Sequence, residues 1–338
     1  MFMLKNNITA IDTHTVGEPT RIITAGFPRI PGSTIPEKCD YVNEHLDDLR
    51  RLIMLEPRGH ADMYGCILTE PVTEDGDFGM LFPNNDSLSP MCGHATIGVT
   101  TVLIETGIIS AQPGVNVVKL DSPAGRVTAY ADVDENGLVK HVRFQNVPSF
   151  VYMENISVEL EEYGTITGDI VYCGCFYTYV DAAQFGLTVD PHNITKLKEV
   201  GVAVKRAVET KYAIQHPIET GVNWLYGTML LDQIVHKENE VHAKNVCIFA
   251  DGEVDRCPTG TGTSGRVAQL WHKGVLKKGD ILVNKSIINT EFTSRIVEEL
   301  QIADYRSVVV EVCGNAYITG FNNLVLDKRD PLARGFRL

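Results

Sequence analysis

No run of about 18 apolar residues interrupts the 338-residue chain, so a membrane-spanning helix is not expected. The start, MFMLKNNITAID, turns polar at Lys5 before a signal-peptide core could form, and the expected location is the cytoplasm. Basic charge is scarce: 30 Lys and Arg against 43 Asp and Glu give a formal charge of -13, which repels phosphate backbones. Nucleic acid is therefore not an expected partner. The eight cysteines, at 39, 66, 92, 173, 175, 247, 257 and 313, are scattered through a chain far larger than a disulfide-stapled module. They read as reduced thiols, mostly buried.

What is present is enough apolar material, 44% of residues, for one large domain or two ordinary ones. Apolar and polar residues alternate at period two over 8–15, 141–145 and 307–312, which predicts strands. Helical spacing is clearest over 44–54 and 194–208. Strands outnumber helices, and the expected class is α+β.

A weak internal repeat organises the chain. LFPNNDSLSPMCGHATIGVTTVLIETGII aligns with IFADGEVDRCPTGTGTSGRVAQLWHKGVL at an offset of 167. In that register Phe82 meets Phe249, Gly93 meets Gly260, Thr96 meets Thr263, Gly98 meets Gly265, Leu103 meets Leu270 and Gly107 meets Gly274. Each copy reads as strand, loop, glycine turn and helix. Two facing halves of this kind would bring two helix N-termini to one cleft, whose unpaired N–H groups and positive dipole ends suit a carboxylate. Cys92 then corresponds to Thr259, a thiol in one half and a hydroxyl in the other.

In SPMCGHATIG a thiolate at Cys92 would be favoured by the helix dipole and by a charged His94, making it a candidate base. His94 could orient the substrate or tune Cys92; no further ligands at metal spacing occur nearby, and no metal is expected. Gly260, Gly262 and Gly265 spell GxGxxG, but the candidate strand at 246–250 ends well before them, and the next, 281–283, is followed by Asn284 rather than an acid. A dinucleotide site is not expected. Asp255 could hold a substrate ammonium or form a surface pair with Arg256. Arg58, His60 and Asp62 of EPRGHADMYG are expected to form a structural network. Cys173 and Cys175 of VYCGCFYTYV are expected on one packed face of a strand.

DTHTVGEPTR, EPRGHADMYG, MCGH, DRCPTGTGTS and AYITGFNNLVLDKRDPLARGF, spread essentially end to end, resemble the proline racemase family, which includes hydroxyproline 2-epimerases and trans-3-hydroxy-L-proline dehydratases. The resemblance implies a diaminopimelate-epimerase-like fold: two pseudo-symmetric lobes, each a barrel-like sheet around a central helix. The lobes are expected at 1–122 plus 305–338, carrying Cys92, and at 123–304, carrying Thr259, in a homodimer without cofactor. By resemblance, Gly93, His94, Gly260 and Thr261 would give N–H groups to the carboxylate of a small imino acid, and Asp255 with His94 would hold its nitrogen. Racemising members use a second cysteine in a DRSPCGTG-like motif; here that position is Thr259, while Cys257 stands where Ser is usual and Ala95 where Gly often is.

The substitution decides the expected chemistry. Racemisation needs a proton donor on the opposite ring face, and a threonine hydroxyl without an adjacent base is too weak for it. In trans-3-hydroxy-L-proline the hydroxyl and the α-proton share one ring face, so Cys92 alone could serve elimination. The expected activity is dehydration to Δ1-pyrroline-2-carboxylate. The alternatives are a racemase or 4-hydroxyproline 2-epimerase using Cys257 as second base, and a non-catalytic imino-acid binding protein.

Overall fold

The computed structural model describes residues 7–219, 222–327 and 329–337. Among them are nineteen strands and five α-helices, an α+β architecture. No helix among the described residues is long and apolar enough to cross a membrane. The chain divides into two compact units, Met1–Val142 with Asn315–Leu338, and Arg143–Gly314.

The first unit contains β1 (Asn7–Thr15), β2 (Glu18–Ala25), α1 (Ile35–His45), α2 (Asp47–Met54), β3 (Gly65–Thr69), β4 (Phe78–Pro83), β5 (Leu88–Ser89), α3 (Gly93–Glu105), β6 (Gly114–Ser122) and β7 (Gly125–Val133). Strand β8 (Val139–Gln145) spans the division. The second unit contains β9 (Ser149–Leu160), β10 (Gly164–Tyr172), β11 (Phe176–Asp181), α4 (Ile194–Lys211), β12 (Leu225–Leu231), β13 (Val235–Lys237), β14 (Glu240–Phe249), β15 (Glu253–Val254), α5 (Gly260–His272), β16 (Ile281–Lys285), β17 (Glu291–Ile302) and β18 (Tyr305–Gly314). The chain then returns to the first unit as β19 (Ala316–Val325), which pairs with β1.

The two units share one pairing scheme. In the first, β19–β1 and β1–β2 are antiparallel, β2–β3 parallel, β3–β4 antiparallel, β4–β6 parallel and β6–β7 antiparallel. In the second, β9–β10–β11 are antiparallel, β11–β12 parallel, β12–β14 antiparallel, β14–β16 parallel and β16–β17 antiparallel. The repeat therefore extends far beyond the 29 aligned residues. In the second unit β17–β18 and β18–β9 pairings complete a closed ring of eight strands. By this division β6 and β7 share a unit, whereas the expected boundary after residue 122 falls inside their hairpin.

Each unit wraps its sheet around one buried helix. Residues 93–104 of α3 are all buried, as are 260–270 of α5. Both are rich in Gly and β-branched residues, which are poor helix formers, so tertiary burial rather than propensity stabilises them. Ile97, Val99, Val102 and Leu103 are fully buried, worth roughly 1.5–3 kcal/mol each relative to exposure. The α3 threonines satisfy their hydroxyls along the helix: Thr96, Thr100 and Thr101 donate to the carbonyls of Cys92, Thr96 and Ile97 at 2.7, 2.8 and 2.9 Å. Gly98 and Gly265, paired in the repeat, are both close-approach positions. A Cβ at Gly98 would lie 2.9 Å from Thr13 Oγ1, and one at Gly265 2.1 Å from the Tyr179 hydroxyl. That contact explains the last glycine of GxGxxG as a packing residue.

Two expectations are corrected. The helix predicted over 44–54 is two helices broken at Leu46, the first beginning at Ile35. Its buried face is Ile35, Lys38 and Val42, and a lysine hides the apolar period; Lys38 Nζ donates to Thr69 Oγ1 and the Glu70 carbonyl at 2.9 and 2.6 Å. Cys173 and Cys175 are buried, but in the turn joining β10 to β11 rather than on a strand. Gly174 between them has φ of +95°, and the Cys173 N–H donates to the Cys175 carbonyl at 3.0 Å.

Candidate active site

Short strand β5 pairs with the end of β4 and aims the chain into α3, placing Cys92 at the N-cap with extended φ of -143° and ψ of 113°. Its Sγ accepts the Ala95 N–H at 3.3 Å. Cysteine is not a preferred N-cap residue; here the thiol sulfur takes the place of a capping oxygen, where the dipole and a backbone donor both favour its thiolate. His94 lies against it, with Nδ1 at 3.3 Å and Nε2 at 3.7 Å from Sγ. The His94 ring is buried, edge-on to Tyr64 at 4.8 Å between centroids, and its carbonyl accepts the Thr15 hydroxyl at 2.8 Å. First-turn N–H groups of a helix, here those of Gly93 and His94, point out of its end rather than along it.

The second unit repeats the arrangement with β14, β15 and α5. Asp255 Oδ1 accepts the Cys257 N–H at 2.9 Å, Cys257 Sγ accepts the Thr259 N–H at 3.3 Å, and the Asp255 N–H donates to the Cys247 carbonyl at 3.1 Å. Asp255 is 4% exposed and is no surface residue. The loop is held from beneath: Asn245 Nδ2 donates to the Pro258 carbonyl at 3.0 Å, and Asn284 Nδ2 to Asn245 Oδ1 and Thr263 Oγ1 at 2.6 and 2.8 Å. Tyr177 and Thr261 share a hydroxyl–hydroxyl bond of 2.8 Å.

Thr259 is the strained residue of this half. Its φ is +64°, a region that β-branched side chains avoid, and its side chain does not cap α5. Oγ1 is buried without a hydrogen bond of normal geometry, its polar neighbour being the Cys247 thiol. A buried, strained and idle hydroxyl is unusual away from functional sites.

Burial holds several other thiols protonated: Cys39 is pushed up to about 12, and Cys66, Cys173, Cys247 and Cys313 also upward. Cys92, Gly93 and His94 thus gather at one helix start, and Asp255, Thr259, Gly260 and Thr261 at the other. Tyr64, Thr15, Tyr177, Asn245 and Asn284 were not legible as site residues. Thr15, Tyr64 and Tyr177 lie in DTHTVGEPTR, EPRGHADMYG and VYCGCFYTYV, whereas Asn245 and Asn284 carry no local motif. Arg58 of that segment is structural, donating to the carbonyls of Val325 and Ala333 at 3.1 and 3.3 Å and to Asp330 at 3.5 Å.

The family model described as proline racemase matches residues 10–337. The chain is 44% identical over 333 residues, 98% of each chain, to a trans-3-hydroxy-L-proline dehydratase of Burkholderia ambifaria. It is also 44% identical over 332 residues, 98% of each chain, to a proline racemase of Clostridioides difficile. Its fold is similar to the crystal structure of a hydroxyproline epimerase from Agrobacterium vitis with bound trans-4-OH-L-proline, with a TM-score of 0.92 and 31% identity, covering 99% of this chain and 96% of the other.

Proposed function

Since this chain belongs to the proline racemase family, we propose that it dehydrates trans-3-hydroxy-L-proline to Δ1-pyrroline-2-carboxylate, with Cys92 as the base. The observation that carries this reading is Thr259 at the position equivalent to Cys92, where a racemising enzyme needs its second thiol.

In this reading the two helix starts serve one substrate, and the N–H groups of Gly93, His94, Gly260 and Thr261 receive its carboxylate. Asp255 and His94 hold the ring nitrogen. The Cys92 thiolate, supported by the Ala95 N–H and by His94, takes the α-proton. The thiol so formed, or a water, returns a proton to the departing 3-hydroxyl on the same ring face. Water leaves, and the cyclic enamine tautomerises to the imine. Every proton is handled by Cys92 or solvent, so the proposed reaction uses no cofactor. The proposed setting is a cytoplasmic homodimer.

The Cys257 alternative is disfavoured by that thiol's engagement with the Thr259 N–H two residues along the same loop and by the stiffness of the intervening Pro258. A panel of L-proline, trans-3-hydroxy-L-proline and trans-4-hydroxy-L-proline, followed for imine formation and optical rotation, tests the proposal. Imine from the 3-hydroxy substrate alone supports it; rapid loss of rotation with L-proline overturns it.

A further inference from the structure

Arg266 lies on α5 about 10 Å along the axis from Thr259, at 1.5 Å per residue. It is 8% exposed. Its Nη1 donates to Gln269 Oε1 at 2.5 Å, while Nε is buried and has no hydrogen-bond partner among the described residues. No carboxylate among the described residues forms an ion pair with it. Asp169, which shares Gln269 with Arg266, is taken by Lys273 Nζ and Gln269 Nε2, each at 2.5 Å. A buried guanidinium stays charged and is costly unless a counter-charge reaches it.

Arg266 lines a cavity of about 870 Å³ contained within the Arg143–Gly314 unit. Asp181 and Asp232 lie on its wall, and neither is ion-paired among the described residues; Asp232 Oδ1 accepts only the Val189 N–H, at 2.9 Å. Asp181 is near enough to favour the Arg266 charge, which burial otherwise disfavours. One cation and two anions, none of them ion-paired among the described residues, line the same cavity, a pattern that opposes a phosphate dianion and suits a ligand carrying both signs.

We propose that this cavity is a second ligand site for an amino-acid zwitterion, its carboxylate on Arg266 and its ammonium toward Asp181 and Asp232. The site does not depend on the dehydratase reading, since none of its residues takes part in that chemistry.

The test uses the full chain with Cys92 alkylated by iodoacetamide, the labelled peptide confirmed by mass spectrometry, so that the catalytic half is obstructed. Glycine, acetate and inorganic phosphate are titrated by calorimetry. Glycine is expected to bind saturably, acetate about tenfold more weakly, and phosphate not at all; loss of a charge-assisted bond in Arg266→Gln should weaken glycine by about tenfold or more. Ala183→Trp, at an exposed position on the cavity rim, should block glycine while leaving the charge in place, and it decides the matter if Arg266→Gln fails to fold. No saturable glycine binding, equal affinity in the variants, or phosphate binding tighter than glycine would each overturn the proposal.

Discussion

Cys92 and Thr259 occupy equivalent positions, each immediately before a 13-residue buried helix, yet only Cys92 caps its helix. Thr259 instead has φ of +64° and a buried hydroxyl without normal hydrogen bonding. The same place in the fold thus holds a capping thiol once and a non-capping alcohol once.

Cys92→Ala should abolish turnover and α-proton exchange in heavy water together. A positioned base is worth about 10² to 10⁴ in rate, and activity retained above about a hundredth of wild type would show that another group removes the proton.

Thr259→Cys should gain measurable epimerisation of proline or a hydroxyproline, with solvent deuterium at the α-carbon of the inverted product. The new thiol would sit at a helix N-terminus, where its pKa is lowered. Robust racemisation by wild type would instead remove Thr259 from the second-base position.

Cys257→Ser should keep turnover within about threefold, equivalent to less than 1 kcal/mol, because a serine oxygen can accept the Thr259 N–H that Cys257 Sγ now accepts. Loss as deep as that of Cys92→Ala would bring back the epimerase reading.

Gly265→Ala should destabilise the protein by about 1–3 kcal/mol through overpacking, since the new methyl would meet the Tyr179 hydroxyl. Thermal unfolding measures this. An unchanged Tm would mean that α5 does not approach β11 so closely.

Alkaline pH should weaken the fold. Thiols desolvated by the fold, such as half-buried Cys39, raised from 9.0 to about 12, keep protons that the unfolded chain releases. Their stabilisation is complete below pH 9 and is lost as pH rises toward 12. Tm measured from pH 8 to 11 should fall, with Cys39→Ala flattening part of the slope; a Tm that rises over this range would contradict the burial of these groups.

The sequence reveals the elements whose side chains alternate regularly. Strand β1, read as 8–15, is Asn7–Thr15, and α4, read as 194–208, is Ile194–Lys211. Motif spacing located both helix starts. What stayed hidden depends on contacts between distant segments: Asn245 and Asn284 support Pro258 across 13 and 26 positions, and neither residue type at that spacing signals a role. Helix α1 escaped because Lys38 occupies a buried place whose ammonium finds oxygens only in the folded chain. The positive φ of Thr259 was equally invisible, since glycine rather than threonine marks such turns.

The ring of the Arg143–Gly314 unit closes through only two register pairs, Ser307 with Phe150 and Val308 with Ser149, beside a Phe150–Tyr305 stack of 4.7 Å. A closed circumference offers no edge on which another chain can extend the sheet, and the shortest seam is where it can part. Backbone amides along β9 and β18 at that seam are therefore the ones that subglobal opening exposes to solvent hydrogen first, ahead of those on β14 and β16 beside the α5 loop.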